Sequence, residues 1–394
     1  MLSVSVVEIC LIVLCLSSGV FLLLSLRSVL AFKKPSTDYP PQFYPPVSIL
    51  KPLCGDEPRL YECLRSFMEQ DYPDYQLIFG VREASDTAIA VVERLRAEFP
   101  DRDISLICDA RIHGANLKIS NVMNMAPLCR HPYIMVSDSD VEVGADFLSR
   151  VMADMENQDI GLLSCIYKGY PTKGLVSELG ALYINQWIIP SILVDRMLSG
   201  HETSLGPALV VRQDALAAAG GFIGIANHLA EDCELGLRIE AAGWAVRLSH
   251  YTIDTMVNEE RLADLVRHEV RWAHTIRAVR PMDHFLSVVT CALPIILILF
   301  ALHPSVLAGI ILSGSLFLRL GLSAALQSRF KFRSPIRWWL VWPRECLCFA
   351  VWAISIFSRA VIWRGQSFSL LAGGLLVPVD TSNGKPVSDR DSEK

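Results

Sequence analysis

Charge is scarce in this 394-residue chain: Asp, Glu, Lys and Arg make up only 20% of it, against 52% hydrophobic residues. With a mean hydropathy of +0.36 it is too apolar for an ordinary soluble enzyme, so part of it belongs in lipid. A basic excess is missing too. A net charge of −5 and a pI near 6.0 give nucleic acid no footing as a partner. Paired CxxC motifs and a disulfide-dense block are both absent. The 11 cysteines, scattered from Cys10 to Cys348, read as small buried hydrophobes in a reducing compartment. No G-x-G-x-x-G follows the first predicted strand and no G-x-x-x-x-G-K-[ST] occurs, so neither a standard dinucleotide fold nor a P-loop is supported.

Long apolar runs are confined to the two ends. Residues 9–26, "ICLIVLCLSSGVFLLLSL", are uncharged and just long enough to cross a bilayer as a helix. A cleaved signal peptide carries its positive charges ahead of the apolar run, whereas Arg27, Lys33 and Lys34 follow this one. The segment therefore reads as an anchor (residues 1–32) with the rest of the chain continuing into the cytoplasm. The Pro- and Tyr-rich "STDYPPQFYPP" after it is a short stiff linker. Further apolar segments are expected at 285–302, 304–326 and 345–362, within a membrane region spanning 284–379. The basic, Trp-rich "SRFKFRSPIRWWLVWPRE" between the last two suits a membrane interface. Three spans here would put the following segment outside; one interfacial or re-entrant segment would keep it inside. Residues 380–394 are polar and read as disordered.

Between the anchors, residues 46–280 have the polarity of a globular domain, and helical and extended patterns alternate. "VSILKP", "YQLIFGV", "ISLICDA" and "YIMV" are strands. The stretches between them are helices, the first with Asp56 as N-cap and Pro58 in its first turn. Such an order predicts an α/β domain with a doubly wound, mostly parallel sheet. Ligands of such sheets bind beyond the carboxyl ends of the strands. Acids cluster there: Glu83 with Asp86, Asp109, and Asp138 with Asp140 in "YIMVSDSDVEV".

Asp138 and Asp140 stand at i and i+2, facing one way unless the chain turns at Ser139. Either a hard divalent cation shared with substrate phosphates holds them, or they belong to a solvated turn. Asp86 has a capping reading and Asp109 a turn reading beside the functional one. Downstream, "HLAEDCELGLRIEAAGW" is a helix with Glu231, Asp232 and Glu234 in its first turn, where the helix dipole favours acids and a carboxylate could also act as general base. "LVRHEVRWAHTIRAVRP" carries Arg267, Arg271, Arg277 and Arg280 with His268 and Trp272. It is either a basic interfacial helix or a diphosphate clamp, with Arg271 on the phosphates and Trp272 stacked on a ligand.

Taken in order, "GVREASD", "VSDSDVEV", "LAEDCELG" and "HEVRW" resemble the motifs of membrane-bound GT-A glycosyltransferases of the ceramide glucosyltransferase type. "NLKISN" and "SLGPALVVRQDALAAAGGF" are similar to stretches of the same family. The resemblance implies a GT-A domain, cytoplasmic and flanked by transmembrane helices, in a multi-pass protein of the bacterial inner membrane. It implies a UDP-sugar donor, a membrane-lipid acceptor and a divalent metal, Mg²⁺ or Mn²⁺. Asp232, Arg271 and Trp272 are then the catalytic residues, and Asp140 the metal ligand together with Asp138. Glu83, Asp138, Lys118, Glu231 and His268 fall in the substrate site. Two positions depart from the pattern: Glu83 stands where the family has Asp, and His268 where it has Gln or Arg. Within the family the resemblance points to the bacterial hopanoid branch, which implies N-acetylglucosamine transfer from UDP to bacteriohopanetetrol. A ceramide glucosyltransferase, a polysaccharide synthase, a polyprenyl-phosphate glycosyltransferase and a non-catalytic nucleotide-sugar receptor are the rival readings.

Overall fold

A computed structural model describes residues 6–32, 43–357, 360–363 and 366–378. Lys33, Lys34, most of the Pro- and Tyr-rich linker and the polar 380–394 tail lie outside the described residues. Helix α1 (Val6–Ala31) is followed by β1 (Val47–Pro52), α2 (Leu60–Met68), β2 (Tyr75–Val81), α3 (Ala88–Glu98), β3 (Ile104–Cys108), α4 (Leu117–Met125), β4 (Tyr133–Ser137), β5 (Val141–Glu142), α5 (Phe147–Asp154) and β6 (Ile160–Pro171). Next come α6 (Gly174–Tyr183), a π-helical turn (Ile184–Ile188), α7 (Ile189–Ser199), β7 (Ala208–Arg212), α8 (Gln213–Ala218), α9 (Glu231–Ala241) and β8 (Ala245–Val257). The chain ends with α10 (Leu262–Val279), α11 (Pro281–Leu286), α12 (Ala292–Leu302), α13 (Val306–Phe330), α14 (Trp338–Phe357), β9 (Ala360–Trp363), β10 (Gln366–Leu370) and β11 (Leu376–Pro378).

Two compact units share these elements. A helical unit comprises Met1–Phe32, Gly169–Gly200 and Glu259–Gly365; a sheet unit comprises Lys33–Lys168, His201–Asn258 and Gln366–Lys394. Residues 169–200 and 259–280, inside the expected 46–280 domain, thus group with the apolar helices, and 366–378 with the sheet.

In the sheet unit the strand order is β3-β2-β1-β4-β7-β6-β8-β5. The first four strands are parallel, as the alternation of strand and helix predicts. Beyond β4 the β4–β7, β7–β6 and β8–β5 pairs are antiparallel, so the sheet is mixed. Alternation along each strand sends side chains to two cores. Val47, Ile49, Leu77, Phe79 and Met135 pack with α2, α3 and α5 on one face. Leu50, Ile78, Ile134 and Val136 pack with α4, α8 and α9 on the other. Helices thus cover both faces, and the strand ends are left to carry polar groups. Because β7 runs against β4, Ala208 pairs with Ser137, bringing the start of β7 beside the end of β4.

Three expectations change. Asp56 does not cap α2, which starts at Leu60 behind Arg59 in a left-handed conformation (φ 66°). The Leu60 N–H donates instead to Glu57 O. The last apolar helix begins at Trp338 rather than 345 and takes in the Trp-rich stretch, with Pro343 inside it; extended chain follows at 360–363. Finally, all 11 cysteines are free thiols, but Cys10, Cys54, Cys108 and Cys346 are exposed rather than buried.

In the helical unit, α1, α13 and α14 are long and apolar enough to cross a membrane. Residues 281–302 form a further candidate span, broken by a 63° bend between Thr290 and Ala292.

A packing constraint supports the site from below. Asn121 Nδ2 donates to Gly80 O near the end of β2 (2.8 Å), and a Cβ on Gly80 would run into Asn121 Oδ1 and Met125 Sδ. Gly80→Ala is therefore expected to destabilise the protein by about 1–3 kcal/mol through overpacking. Thermal unfolding in detergent measures it, and an unchanged midpoint would contradict this packing.

Candidate active site

Four chain segments meet where β4 ends. Beyond Ser137 the strand stops, and the Asp138 N–H donates to Pro207 O (2.9 Å), just before β7. The chain turns through Ser139 and Asp140, and the Asp140 carbonyl accepts from the Met256 N–H of β8 (2.9 Å). Asn116 caps α4, its Oδ1 accepting from the Ile119 N–H (3.1 Å). Its Nδ2 donates to His228 O (2.9 Å) and Glu231 Oε2 (3.2 Å), which ties the start of α9 to the start of α4.

In the first turn of α4, Lys118 Nζ lies 2.6 Å from Asp138 Oδ1 and 3.0 Å from Glu231 Oε1. Burial works to deprotonate this amine, but Asp138 and Glu231 outweigh it and hold its pKa above the usual lysine range. Asp138 thus already has a protein cation against it. Asp232, the next residue on α9, accepts from the Cys233 N–H (2.9 Å) and lines a cleft with Lys118, Gly206, Leu209, Phe222 and Leu235. Burial and the neighbouring Glu231 push its pKa up to about 6, while the Cys233 N–H and Lys118 oppose the rise. Gly206 leaves room for this carboxylate, since a Cβ there would stand 3.1 Å from Asp232 Oδ2.

Asp140 is pushed further, to about 8, by burial and by the carboxylates of Asp138 and Glu57, with Lys51 pulling the other way. Ser139 Oγ donates to Glu57 Oε2 (2.8 Å), which holds this third acid at the turn. Lys51 is fully buried at the end of β1, with Nζ 3.5 Å from the centre of the Phe67 ring. It donates to Ser137 Oγ (3.1 Å) and Asp138 O (2.8 Å), and burial lowers its pKa to about 7.

Among the described residues no group of three or more His, Cys, Asp and Glu side chains is placed to hold a metal by itself. The oxygens present suit a hard cation that takes the rest of its coordination from a diphosphate. A divalent ion at Asp140 would favour the ionised form that burial and the neighbouring Asp138 and Glu57 disfavour.

The expected residues are thus gathered in part. Asp138, Asp140, Lys118, Glu231 and Asp232 come together. Glu83 stands exposed past the end of β2, one strand removed from β4. Asp86 accepts from the Ala88 N–H (2.9 Å) at the start of α3 and from the Gly55 N–H (2.9 Å), in keeping with its capping reading. Asp109 is bound by the Arg111 guanidinium and N–H within a turn, and Arg111 holds its pKa below the usual carboxylate range. Sequence reasoning passed over Lys51, Glu57, Asn116 and Gly206. A lysine in the otherwise apolar "VSILKP" was the one visible signal among them.

His268, Arg271 and Trp272 belong to the helical unit, on α10. Trp272 stacks on Tyr183 of α6 (6.2 Å, 27°), with the His268 ring edge-on to it at 4.5 Å. His268 Nδ1 is 2.5 Å from Glu259 Oε1. Between them, Glu269 makes a two-pronged ion pair with Arg344 of α14 (2.9 and 2.5 Å), buried over the Tyr183 ring.

A mixed, partly parallel sheet with an acidic turn where it changes direction, in a chain with apolar helices near both termini, has the architecture of GT-A-type glycosyltransferases. The chain belongs to glycosyl transferase family 21, whose model matches residues 10–376. It is 25% identical over 345 residues to ceramide glucosyltransferase 3 of Caenorhabditis elegans, covering 85% of this chain and 74% of that protein. Ceramide glucosyltransferase of Komagataella phaffii is 30% identical over 122 residues, 30% of this chain and 24% of that one. Among solved structures, the fold is similar to the mannosyltransferase PcManGT of Pyrobaculum calidifontis in complex with GDP-Man and Mn²⁺. The TM-score is 0.57 at 15% identity, over 89% of this chain and 98% of that one. The protein is accordingly a sugar-transferring enzyme.

The raised pKa of Asp232 carries a stability cost of definite sign. A carboxyl whose folded pKa lies above its unfolded value costs nothing below the unfolded pKa, and its full penalty is present once pH exceeds the folded one. A rise from 3.8 to about 6 corresponds to about 3 kcal/mol, reduced to about 1–2 kcal/mol because the side chain is only half-buried. Asp232→Asn should therefore be more stable than wild type at pH 7.5 by that amount, with the gain vanishing below pH 4. Equal stability at both pH values would remove the basis for a strained carboxylate.

Proposed function

We propose that the protein is an inverting glycosyltransferase that moves a sugar from a UDP-sugar to a hydroxyl of a membrane lipid. The observation that carries this reading is Asp232. It is a carboxylate on a cleft wall with its pKa lifted toward neutrality, next to Glu231, which Lys118 links to Asp138 beyond the end of β4. A base whose pKa lies closer to working pH accepts a proton from a hydroxyl more readily than an ordinary aspartate. As the acceptor oxygen attacks the anomeric carbon from the face opposite the diphosphate, its proton passes to Asp232. The bond from the anomeric carbon to the diphosphate oxygen breaks, and UDP leaves with the electron pair, which inverts the centre.

Lys118 orients Asp138 and Glu231 for the ribose and sugar, and Glu83 is assigned to the base. Arg271, with His268 and Trp272 beside it, is assigned to the leaving diphosphate on the strength of the sequence resemblance. Asp140, backed by Asp138, would hold Mg²⁺ or Mn²⁺, which supplies charge stabilisation to the departing diphosphate. The donor is UDP-N-acetylglucosamine and the acceptor the hopanoid bacteriohopanetetrol. The likeness of the motif series to the hopanoid branch supports this choice, and the ceramide glucosyltransferase relatives support lipid as the acceptor class. A ceramide glucosyltransferase is the alternative. The sheet unit is assigned to the cytoplasm, in keeping with Arg27 near the carboxyl end of α1.

With purified protein in nanodiscs, labelled UDP-sugars and the two lipids, mass spectrometry should find the N-acetylglucosaminyl hopanoid. Glucosylceramide instead would move the protein to the alternative. Asp232→Asn should lower turnover by roughly 10²–10⁴-fold with donor affinity little changed, and Glu231→Gln should be milder. The wild-type rate should fall below pH about 6 as Asp232 protonates. Near-normal turnover by Asp232→Asn would place the base elsewhere.

The metal assignment has a readout apart from activity. Because the Asp140 pKa is raised to about 8, ionising this group costs stability as pH rises from about 4 to 8. A cation that binds its ionised form should stabilise most at the upper end. Mn²⁺ is expected to raise the unfolding midpoint at pH 8, to do so little at pH 5, and to have no such effect on Asp140→Asn. The same rise in Asp140→Asn would refute the assignment.

A further inference from the structure

Two contacts orient the helical unit's spans. His303 Nδ1, just past α12, lies 3.5 Å from Glu8 Oε2 at the start of α1. At the other end of α1, Arg329 Nη2 donates to Leu30 O (2.6 Å), and the Phe32 and Phe330 rings stack at 5.2 Å. So α13 runs parallel to α1, start beside start and end beside end. The chain leaves the Leu30 end to enter the sheet unit, which puts residues 329–331 on the sheet unit's side of the membrane and residue 303 on the far side. The bent 281–302 segment therefore carries the chain across, and α13 returns it.

The chain's final described segment fixes the remainder. β10 and β11 form an antiparallel hairpin, the Leu376 N–H donates to Asn227 O (2.8 Å), and the Leu229 N–H donates to Gly374 O (2.9 Å). Residues 366–378 are thus part of the sheet unit and lie on its side of the membrane. Since α14 both begins and must end on that side, a single crossing is ruled out unless residues 358–365 come back through the lipid. Eight fully extended residues span at most about 28 Å, short of a hydrocarbon core of roughly 30 Å, and a single extended strand there would leave its backbone unpaired.

We propose that α14, despite its length and hydropathy, does not cross the bilayer but docks on the lipid of the leaflet on the sheet unit's side. Its own contacts fit this. Arg337, just before it, pairs with Glu178 of α6 (3.1 Å), and the Arg277 guanidinium of α10 donates to Ser355 O and Ile356 O at its other end. α10 carries Asp264, Arg267, His268, Glu269, Arg271, His274 and Arg277, too many ionisable groups for a span, and it follows directly from the sheet unit. On α14 itself, Trp339, Pro343, Cys346, Ala350, Ile354 and Phe357 form an exposed, uncharged row at helical spacing. Arg344 and Glu345 point away from that row and are buried. Tryptophan at the head of such a row suits the level of the lipid headgroups.

Side-specific labelling tests the proposal in sealed membrane vesicles of known orientation, with Cys10, Cys54, Cys108 and Cys346 replaced by serine. Single reporters are Asp101→Cys in the sheet unit, Pro304→Cys, Ser334→Cys between α13 and α14, and a cysteine added after Lys394. Each variant is first required to elute like wild type in detergent. An impermeant maleimide should label the 101, 334 and tail reporters from one face and the 304 reporter from the other. Labelling of the tail from the 304 side would overturn the proposal, as would labelling of residue 304 from the same face as residue 101.

Discussion

The active-site arrangement depends on one ammonium group. Lys118 links Asp138 at a strand end to Glu231 at a helix start, residues brought together from distant parts of the chain. Without it, the carboxylate just beyond β4 and the one that opens α9 would stand close together with no cation between them. A pair of unit charges 4 Å apart interacts by about 4 kcal/mol at an effective dielectric of 20, a sizeable share of a domain's net stability. The lysine turns that repulsion into attraction. It does not do so for Asp232 or Asp140, whose pKa values stay raised. The acids of the site thus differ in environment: Asp138 and Glu231 share a lysine, whereas burial and like charge bear on Asp232 and Asp140.

That difference explains what the sequence could and could not reveal. Asp138 and Asp140 were legible because a strand ending in two acids breaks the apolar alternation, and Asp232 because one helix turn held more acids than capping requires. The parallel half of the sheet was legible from alternating periodicities. Its antiparallel half was not, since β6, β7 and β8 pair across long connections that no local pattern encodes. Lys118 was flagged only through resemblance, because its meaning lies in two partners far away in sequence. Asn116 and Glu57 were silent for the same reason. Asp56 misled because capping preference is local, whereas the 55–59 turn is shaped by Gly55 binding Asp86 and by Glu57 held by Ser139.

The helical unit uses charge differently. Arg344 with Glu269 and Arg319 with Glu345 are almost fully buried ion pairs. Desolvation offsets most of their mutual attraction, so they contribute little net stability, yet mispairing either charge would cost about 3–5 kcal/mol. Their value is register. Adjacent residues of α14 bind α10 and α13 separately, so the helix cannot slide or rotate against either without stranding a charge. Hydropathy averages over such residues and sees only the apolar remainder, which is why α14 resembles a span.

The loop before α9 joins both halves of the chain's logic. Asn227, His228 and Leu229 are held on one side by Ala115 and by Asn116, the cap of α4, and on the other by Gly374, Leu375 and Leu376. Backbone groups of this loop that find no partner within the sheet's first 258 residues are paired by a hairpin made after the membrane helices. Leu229 is buried, and leaving its N–H unpaired would cost about 1–3 kcal/mol. Asp232 lies only a few residues further on, so the position of the strained carboxylate depends on a segment that cannot arrive until the helical unit has been threaded. A chain ended at residue 280 would keep Lys118 and its acids but lose one wall of the loop that aims Asp232. The sheet unit is thus closed by residues that the chain supplies only after the apolar helices have been made.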